Sequence, residues 1–139
     1  MRGTSIDCKF VEYIPEVLDE GVLYISKPYS TATHKCFCGC GSEVVTPLNP
    51  TGWKIWVNRN LVSLDPSIGN WSLACRSHYW IRRNKIVWAG DMTQQEIANG
   101  RVMDAAMRKA YFEDSNRDEI SRNNFFSKTW GFIKEWLSR

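Results

Sequence analysis

The chain has 139 residues, a length typical of one domain. Hydrophobic residues make up 43% and charged residues 24%, close to ordinary globular usage, which excludes a wholly disordered chain. The formal net charge of +3 excludes a strongly basic nucleic-acid-binding protein, and no apolar run reaches the roughly 20 residues of a membrane span.

The first two-thirds of the sequence predict a β module over residues 5–90. Short runs with alternating or β-branched residues are separated by proline, glycine and asparagine, and each run predicts a strand. The predicted strands are residues 8–14, 21–26, 31–37, 43–46, 53–57, 61–64, 78–81 and 85–88. The segment Pro66-Ser67-Ile68-Gly69-Asn70 is predicted to interrupt this regularity as a turn.

The last third of the sequence, residues 93–139, predicts a pair of helices. Thr93 and Glu96 have the spacing of a capping box, which predicts a helix from there to about residue 112. A polar run, EDSNRD, is expected to separate it from a second helix over about residues 118–137. The sequence therefore predicts an α+β fold in one domain: a small antiparallel β module of about six to eight strands followed by two C-terminal helices.

The second predicted helix has an apolar stripe with spacings of four, three and four residues, which places its members on one face. Its members are Phe126, Trp130, Ile133 and Leu137, widened by Phe125 and Trp136. We expect the stripe to cover one face of the β module, because an open sheet must bury its apolar side. Binding of a partner protein is the alternative.

Four of the five cysteines have a spacing typical of a metal site. Cys36, Cys38 and Cys40 fall within five residues, and Cys75 precedes His78 by three. Thiols and imidazoles are the donors that tetrahedral zinc prefers. The odd cysteine count does not favour a disulfide framework, and the first residues lack the apolar core of a signal peptide, so we expect a cytoplasmic protein. The remaining cysteine, Cys8, is interpreted as a buried thiol in a strand.

Two closed ligand sets fit these donors. One uses Cys36, Cys38, Cys40 and Cys75 and leaves the histidines free. The other uses two of the first three cysteines with Cys75 and His78. In either set four protein ligands leave no open position for water, so the site would be structural.

Ser67 is a candidate nucleophile, because a serine on a tight loop with backbone amides nearby is where an oxyanion hole could form. Ser63 and Ser77 are competing hydroxyls. Neighbouring strand residues point to opposite faces, so Ser77 would not reach its neighbour His78. A serine–histidine pair must therefore join His78 to Ser67, or His34 to one of the serines. Asp65 and Asp91 are candidates to orient the imidazole.

Three stretches, taken together, resemble a family of small bacterial proteins. They are H-x-C-x-C-G-C-G at residues 34–41, V-S-L-x-P-S-I-G at 62–69 and C-R-S-H-Y-W-I at 75–81, with Gly52-Trp53 between the first two. They stand in the same order as in the family and cover about residues 20–90. Members look like companions of E1-like, E2-like and ubiquitin-like proteins in bacterial conjugation operons. The family is associated with zinc-containing serine peptidase activity on ubiquitin-like proteins.

The resemblance implies a zinc-stabilised serine peptidase that matures a ubiquitin-like precursor or removes the ubiquitin-like protein from conjugates. It assigns zinc binding to the cysteine cluster, and chemistry to Ser67 or Ser77 with His78. A narrow groove for a glycine-containing tail would be lined by Trp53, Trp71, Tyr79 and Trp80. The expected partners are the ubiquitin-like protein and its E1-like and E2-like enzymes, with neither nucleic acid nor membrane. The alternative is a noncatalytic zinc-binding module that recognises a partner of such a system.

Overall fold

The computed structural model describes residues 2–137, without the side chains of residues 131–133 and 136. The chain divides into two compact units, one that ends at Ile97 and one that begins at Ala98.

The first unit contains two four-stranded sheets, with strand orders β1-β2-β3-β4 and β5-β6-β7-β8. Each strand overlaps one of those predicted from the sequence, and the α+β class is confirmed. The strands are β1 (Asp7–Phe10), β2 (Val22–Ser26), β3 (Thr31–Lys35), β4 (Glu43–Pro47), β5 (Lys54–Asn58), β6 (Leu61–Gly69), β7 (His78–Arg82) and β8 (Lys85–Trp88).

One strand pair departs from the predicted antiparallel module. β1 runs parallel to β2, with Asp7 opposite Val22, whereas the other strand pairs are antiparallel. Parallel neighbours need a connection of about a dozen residues or more that returns the chain to its starting end. Residues 11–21 supply it, and the alternation read from the sequence does not distinguish the two directions.

The two sheets share one hydrophobic core. It includes Leu23, Ile25 and Ala32 from the first sheet and Leu64, Tyr79 and Ile81 from the second. Burial of each large aliphatic side chain contributes about 1.5–3 kcal/mol. Along β7, and along β6 except at Asp65 and Pro66, buried residues alternate with half-buried or exposed ones, so each strand presents its remaining side chains on the outer face of the sheet.

A 44-residue helix, α1 (Gln94–Leu137), follows the strands. The predicted capping box at its start is confirmed: Glu96 N donates to Thr93 Oγ1 at 3.2 Å, and Thr93 N donates to Glu96 Oε2 at 2.7 Å. Within residues 2–137, no helix combines the length and the apolar character needed to cross a membrane.

The prediction of two separate helices is wrong. The polar run at residues 113–118 continues the helix without interruption. It contains neither proline nor glycine, and the other residues differ from alanine by at most about 0.7 kcal/mol each in helix propensity. Polarity alone does not end a helix, whose backbone hydrogen bonds close within the segment.

The apolar stripe of the second predicted helix lies near the end of α1. Phe126, Trp130 and Leu137 are exposed. The side chains of Ile133 and Trp136 lie outside those that the structure describes. That the stripe covers the β module stays a prediction.

Candidate active site and metal centre

The register of β6 and β7 places a serine beside a histidine. Gly69 of β6 lies opposite His78 of β7. Ser67 precedes Gly69 by two residues, and side chains two residues apart on a strand share a face. Residues 66–69 of the segment predicted to be a turn form the end of this nine-residue strand. The sequence prediction failed there because Pro66 and Gly69 are typical turn residues, whereas this strand accommodates them beside an irregularity.

That irregularity lies between Leu64 and Ile68. Leu64 pairs with Ile81 and Ile68 with Tyr79, so three β6 residues stand opposite Trp80 alone. Such a bulge bends a strand and redirects its side chains, and bulges are frequent next to active sites.

Ser67 Oγ lies 2.9 Å from His78 Nε2. On the other side of the ring, His78 Nδ1 lies 2.9 Å from the carbonyl oxygen of Gly90. A carbonyl oxygen can only accept, so Nδ1 carries the proton and donates it. In the neutral imidazole Nε2 is then the acceptor, and Ser67 donates its hydroxyl proton to it. This is the arrangement in which a histidine can act as base toward a serine.

Neither candidate aspartate orients the imidazole. Asp91 accepts a hydrogen bond from Arg76 Nη2 at 3.0 Å, and this bond is the main cause that holds the pKa of the Asp91 carboxyl below its usual value. Asp65 is exposed and pairs with Lys54 in the β5–β6 ladder. The residue that sequence reasoning missed is Gly90. It acts through a backbone carbonyl, which has no signature in the side-chain sequence.

The four cysteines of the predicted cluster come together. The Sγ atoms of Cys36, Cys38, Cys40 and Cys75 all lie within 4.8 Å of one another. Cys36 Sγ is 3.4 Å from Cys38 Sγ and 3.8 Å from Cys75 Sγ, so these are free thiols rather than disulfides. His78 does not join them, because both of its ring nitrogens are engaged elsewhere. Four soft sulfur donors could hold a metal ion.

The thiols differ in how easily they ionise. Burial raises the pKa of Cys36 to about 12, whereas hydrogen bonds from Ser42 lower the pKa of Cys40 to about 6. Burial opposes ionisation of Cys75, but hydrogen bonds from Ser77 help to lower its pKa overall. A bound cation would favour the thiolate at each position.

Ser77 belongs to this cluster and not to the serine–histidine pair. It is buried, and its hydroxyl is among the groups that act to lower the pKa of the Cys36 and Cys75 thiols. Only two residues of sequence separate Cys75, a metal-ligand candidate, from His78, whose Nε2 lies beside Ser67 Oγ.

His34 lies in the core, apart from both groups. It is 0% exposed, and its Nε2 is 2.7 Å from Tyr79 Oη. Burial lowers the pKa of His34 to about 3, so the ring is neutral at physiological pH. Asn70 Nδ2 donates to Tyr79 Oη at 3.3 Å and to Cys36 Sγ at 3.6 Å. A buried polar chain thereby connects His34 to the cysteine cluster.

The aromatic residues expected to line a groove divide into two sets. Tyr79 is fully buried, so it does not stand beside Ser67 on the outer face, and Trp53 packs partly buried against the core. Trp71 and Trp80 instead lie beside His78, the candidate base, with ring centroids 4.9 and 5.7 Å from that of the imidazole.

The Ser67 hydroxyl is hydrogen-bonded to an imidazole whose orientation is fixed by a second hydrogen bond. This arrangement is typical of a serine hydrolase, so the site is a candidate serine hydrolase site, and the chain also carries a thiol cluster. A family model described as bacterial ubiquitination-like system serine protease (BubE) matches residues 10–89. The match spans more than half of the 139 residues, so the chain belongs to this family and the resemblance seen in the motifs is confirmed. No curated protein and no solved structure matches the chain.

Proposed function

We propose that this protein is a zinc-stabilised serine peptidase that cleaves the bond after the C-terminal glycine of a bacterial ubiquitin-like protein. In this proposal Ser67 is the nucleophile and His78 the base. The observation that supports it is the 2.9 Å separation between Ser67 Oγ and His78 Nε2, in a chain whose family is that of bacterial ubiquitination-like system serine proteases.

The chemistry is acyl transfer. Ser67 Oγ bonds to the scissile carbonyl carbon as its proton moves to His78 Nε2. The imidazolium keeps its second proton on Nδ1, which donates a hydrogen bond to the carbonyl oxygen of Gly90. His78 then returns the first proton to the leaving amine as the C–N bond breaks. Water attacks the resulting ester with the same histidine as base, which releases the carboxylate and restores the serine.

A neutral carbonyl takes the place where many serine peptidases have a carboxylate. It fixes the tautomer as an aspartate would, but it offers the imidazolium less charge stabilisation. The oxyanion would be stabilised by backbone amides of the bulged segment around Ser67, where the β6–β7 pairing is interrupted. Trp71 and Trp80 would form the walls of a slot that suits a slender tail.

Zinc fits the cysteine cluster. A Zn–S bond of about 2.3 Å gives tetrahedral sulfurs a separation of about 3.8 Å. The 3.8 Å between Cys36 Sγ and Cys75 Sγ agrees with this value, the 3.4 Å between Cys36 Sγ and Cys38 Sγ is shorter, and all four Sγ atoms lie within 4.8 Å of one another. When bound, zinc would cross-link the turn after β3 to the loop before β7. Four thiolates fill a tetrahedral shell, so the metal would brace the site and take no part in the reaction.

The family supports the proposed substrate and partners. The protein would mature a ubiquitin-like precursor or detach the ubiquitin-like protein from conjugates, in the cytoplasm and alongside E1-like and E2-like enzymes. Trp71 and Trp80 both lie beside His78, and a slot between these indoles would favour a glycine-containing tail over an ordinary peptide with bulky side chains.

The test is cleavage of a ubiquitin-like protein of such a system, fused at its C-terminal glycine to a reporter, by purified protein. Ser67→Ala should lower kcat/KM by at least about a thousandfold and abolish labelling by a fluorophosphonate probe, with zinc content unchanged. Ser63→Ala, on the same strand but bonded to Arg83 N, is the matched control and should retain activity. Labelling that persists in Ser67→Ala and disappears in Ser77→Ala would reject Ser67. Absence of both cleavage and labelling in the unaltered protein would favour a noncatalytic zinc-binding module.

A further inference from the structure

The segment that orients His78 lies beyond the end of β8 and is held at two points. Ala89 N donates to the carbonyl oxygen of His78 at 2.9 Å. On the other side of Gly90, Arg76 Nη2 donates to Asp91 Oδ1 at 3.0 Å and to the carbonyl oxygen of Met92 at 3.1 Å. Gly90 itself is exposed, and glycine has the widest backbone freedom of any residue. The position of its carbonyl therefore depends on these two attachments.

The same guanidinium contacts the aromatic neighbour of His78. Arg76 Cζ lies 5.3 Å from the centroid of the Trp71 ring, which in turn lies 4.9 Å from that of His78. Arg76 thus joins the segment on one side of the imidazole to the indole that packs against it.

Arg76 adopts a backbone conformation that non-glycine residues rarely use. Its φ is +47°, in the left-handed region, which is unfavourable for a residue that carries a Cβ atom. Such conformations persist where the surrounding contacts determine them, and they are frequent at functional sites. In this conformation the guanidinium of Arg76 makes its three contacts, with Asp91, Met92 and Trp71.

We propose that Arg76 is a positioning residue for His78. By holding Asp91 and Met92 it keeps the Gly90 carbonyl against Nδ1, and so keeps the imidazole in the tautomer whose Nε2 accepts the Ser67 proton. The Asp91 carboxyl remains ionised well below neutral pH, so this ion pair persists through the range in which a histidine base works. The inference rests on the proposed function, since it concerns the efficiency of the same base.

The experiment compares Arg76→Ala with Asp91→Ala and Arg83→Ala. Asp91 is largely exposed, so Asp91→Ala removes the same ion pair with little risk to folding. Arg83 is the matched control, because it is an exposed arginine with a similar φ of +50° in the β7–β8 turn. Two quantities are measured: the imidazole tautomer of His78 by ¹⁵N NMR, and kcat and KM separately on the reporter fusion.

Arg76→Ala and Asp91→Ala should both increase the Nε2-protonated fraction of His78 and lower kcat by about tenfold to a hundredfold, with KM within about twofold. Arg83→Ala should change neither quantity. An unchanged tautomer and kcat in both test variants would overturn the role of Arg76 while leaving the peptidase intact. If the unaltered protein does not cleave the fusion, the proposed function fails, and the NMR comparison still decides whether Arg76 positions the ring.

Discussion

Gly69 lies directly opposite His78, and a Cβ atom on residue 69 would come within 2.3 Å of Trp71 Nε1. The indole of Trp71 thus occupies the space above this glycine and reaches the imidazole from there. The absence of one side chain on β6 therefore determines the aromatic surroundings of the candidate base.

Gly69→Ala should move Trp71 away from His78. We expect kcat/KM on the reporter fusion to fall by about tenfold or more, because small displacements at a reacting centre are costly, and the tryptophan fluorescence to change. Gly100→Ala is the control, since a Cβ there meets nothing within 4 Å, and it should leave cleavage unaltered. Normal kinetics in Gly69→Ala would show that the position of Trp71 is irrelevant to the reaction.

Removal of the metal should lower the thermal stability of the first unit. A chelator that strips the cysteine cluster is expected to lower Tm by several degrees, because a tetrahedral cross-link between the turn after β3 and the loop before β7 is lost. Iodoacetamide mapping by mass spectrometry gives the second readout. Zinc should protect the four clustered cysteines, whereas Cys8, which hydrogen-bonds Asn84 instead, should react at the same rate with and without metal. Equal labelling of Cys40 in both states would contradict a metal at this cluster.

The sequence predicted the cysteine cluster well because its signal is local. Three thiols within five residues need only one tight turn, at residues 37–40, to come together, whereas Cys75 had to be brought in from a distance. The strands were predictable for the same reason, since alternation is a property of a few neighbouring residues. The parallel β1–β2 pair was not, because strand direction depends on where the connecting segment leads.

The serine–histidine pair was only partly predictable. The two-residue alternation along a strand separated His78 from Ser77 and favoured Ser67, but His34 remained an alternative to His78 until the register of β6 on β7 was known. The group that orients the candidate base could not be predicted, since the sequence offered two aspartates, whereas His78 Nδ1 bonds the carbonyl oxygen of Gly90. A backbone acceptor is present at every residue, so composition cannot single one out.

The hydroxyl of Tyr79 should be important for stability. It is the partner of His34 Nε2, and the other ring nitrogen, Nδ1, is buried without a hydrogen-bond partner among residues 2–137. Tyr79→Phe leaves the buried imidazole unpaired, so the free energy of unfolding should fall by about 1–3 kcal/mol. Chemical denaturation measures this loss. The Tyr24 hydroxyl bonds the exposed Asp19, so Tyr24→Phe should lower the free energy of unfolding by less. Equal losses in the two variants would show that the buried contact with His34 adds no extra stability.

The continuity of α1 can be tested in the polar run where the sequence predicted a break. Ser115 lies in the middle of this run, and the structure places it inside one 44-residue helix. Proline there removes a backbone donor and clashes with the carbonyl four residues earlier, at a cost of about 3 kcal/mol or more. Ser115→Pro should therefore lower the helical signal at 222 nm, whereas Ser115→Ala should preserve or slightly raise it. If the chain were instead two helices joined by a loop at residues 113–118, proline would be accommodated there and the two variants would give the same spectrum.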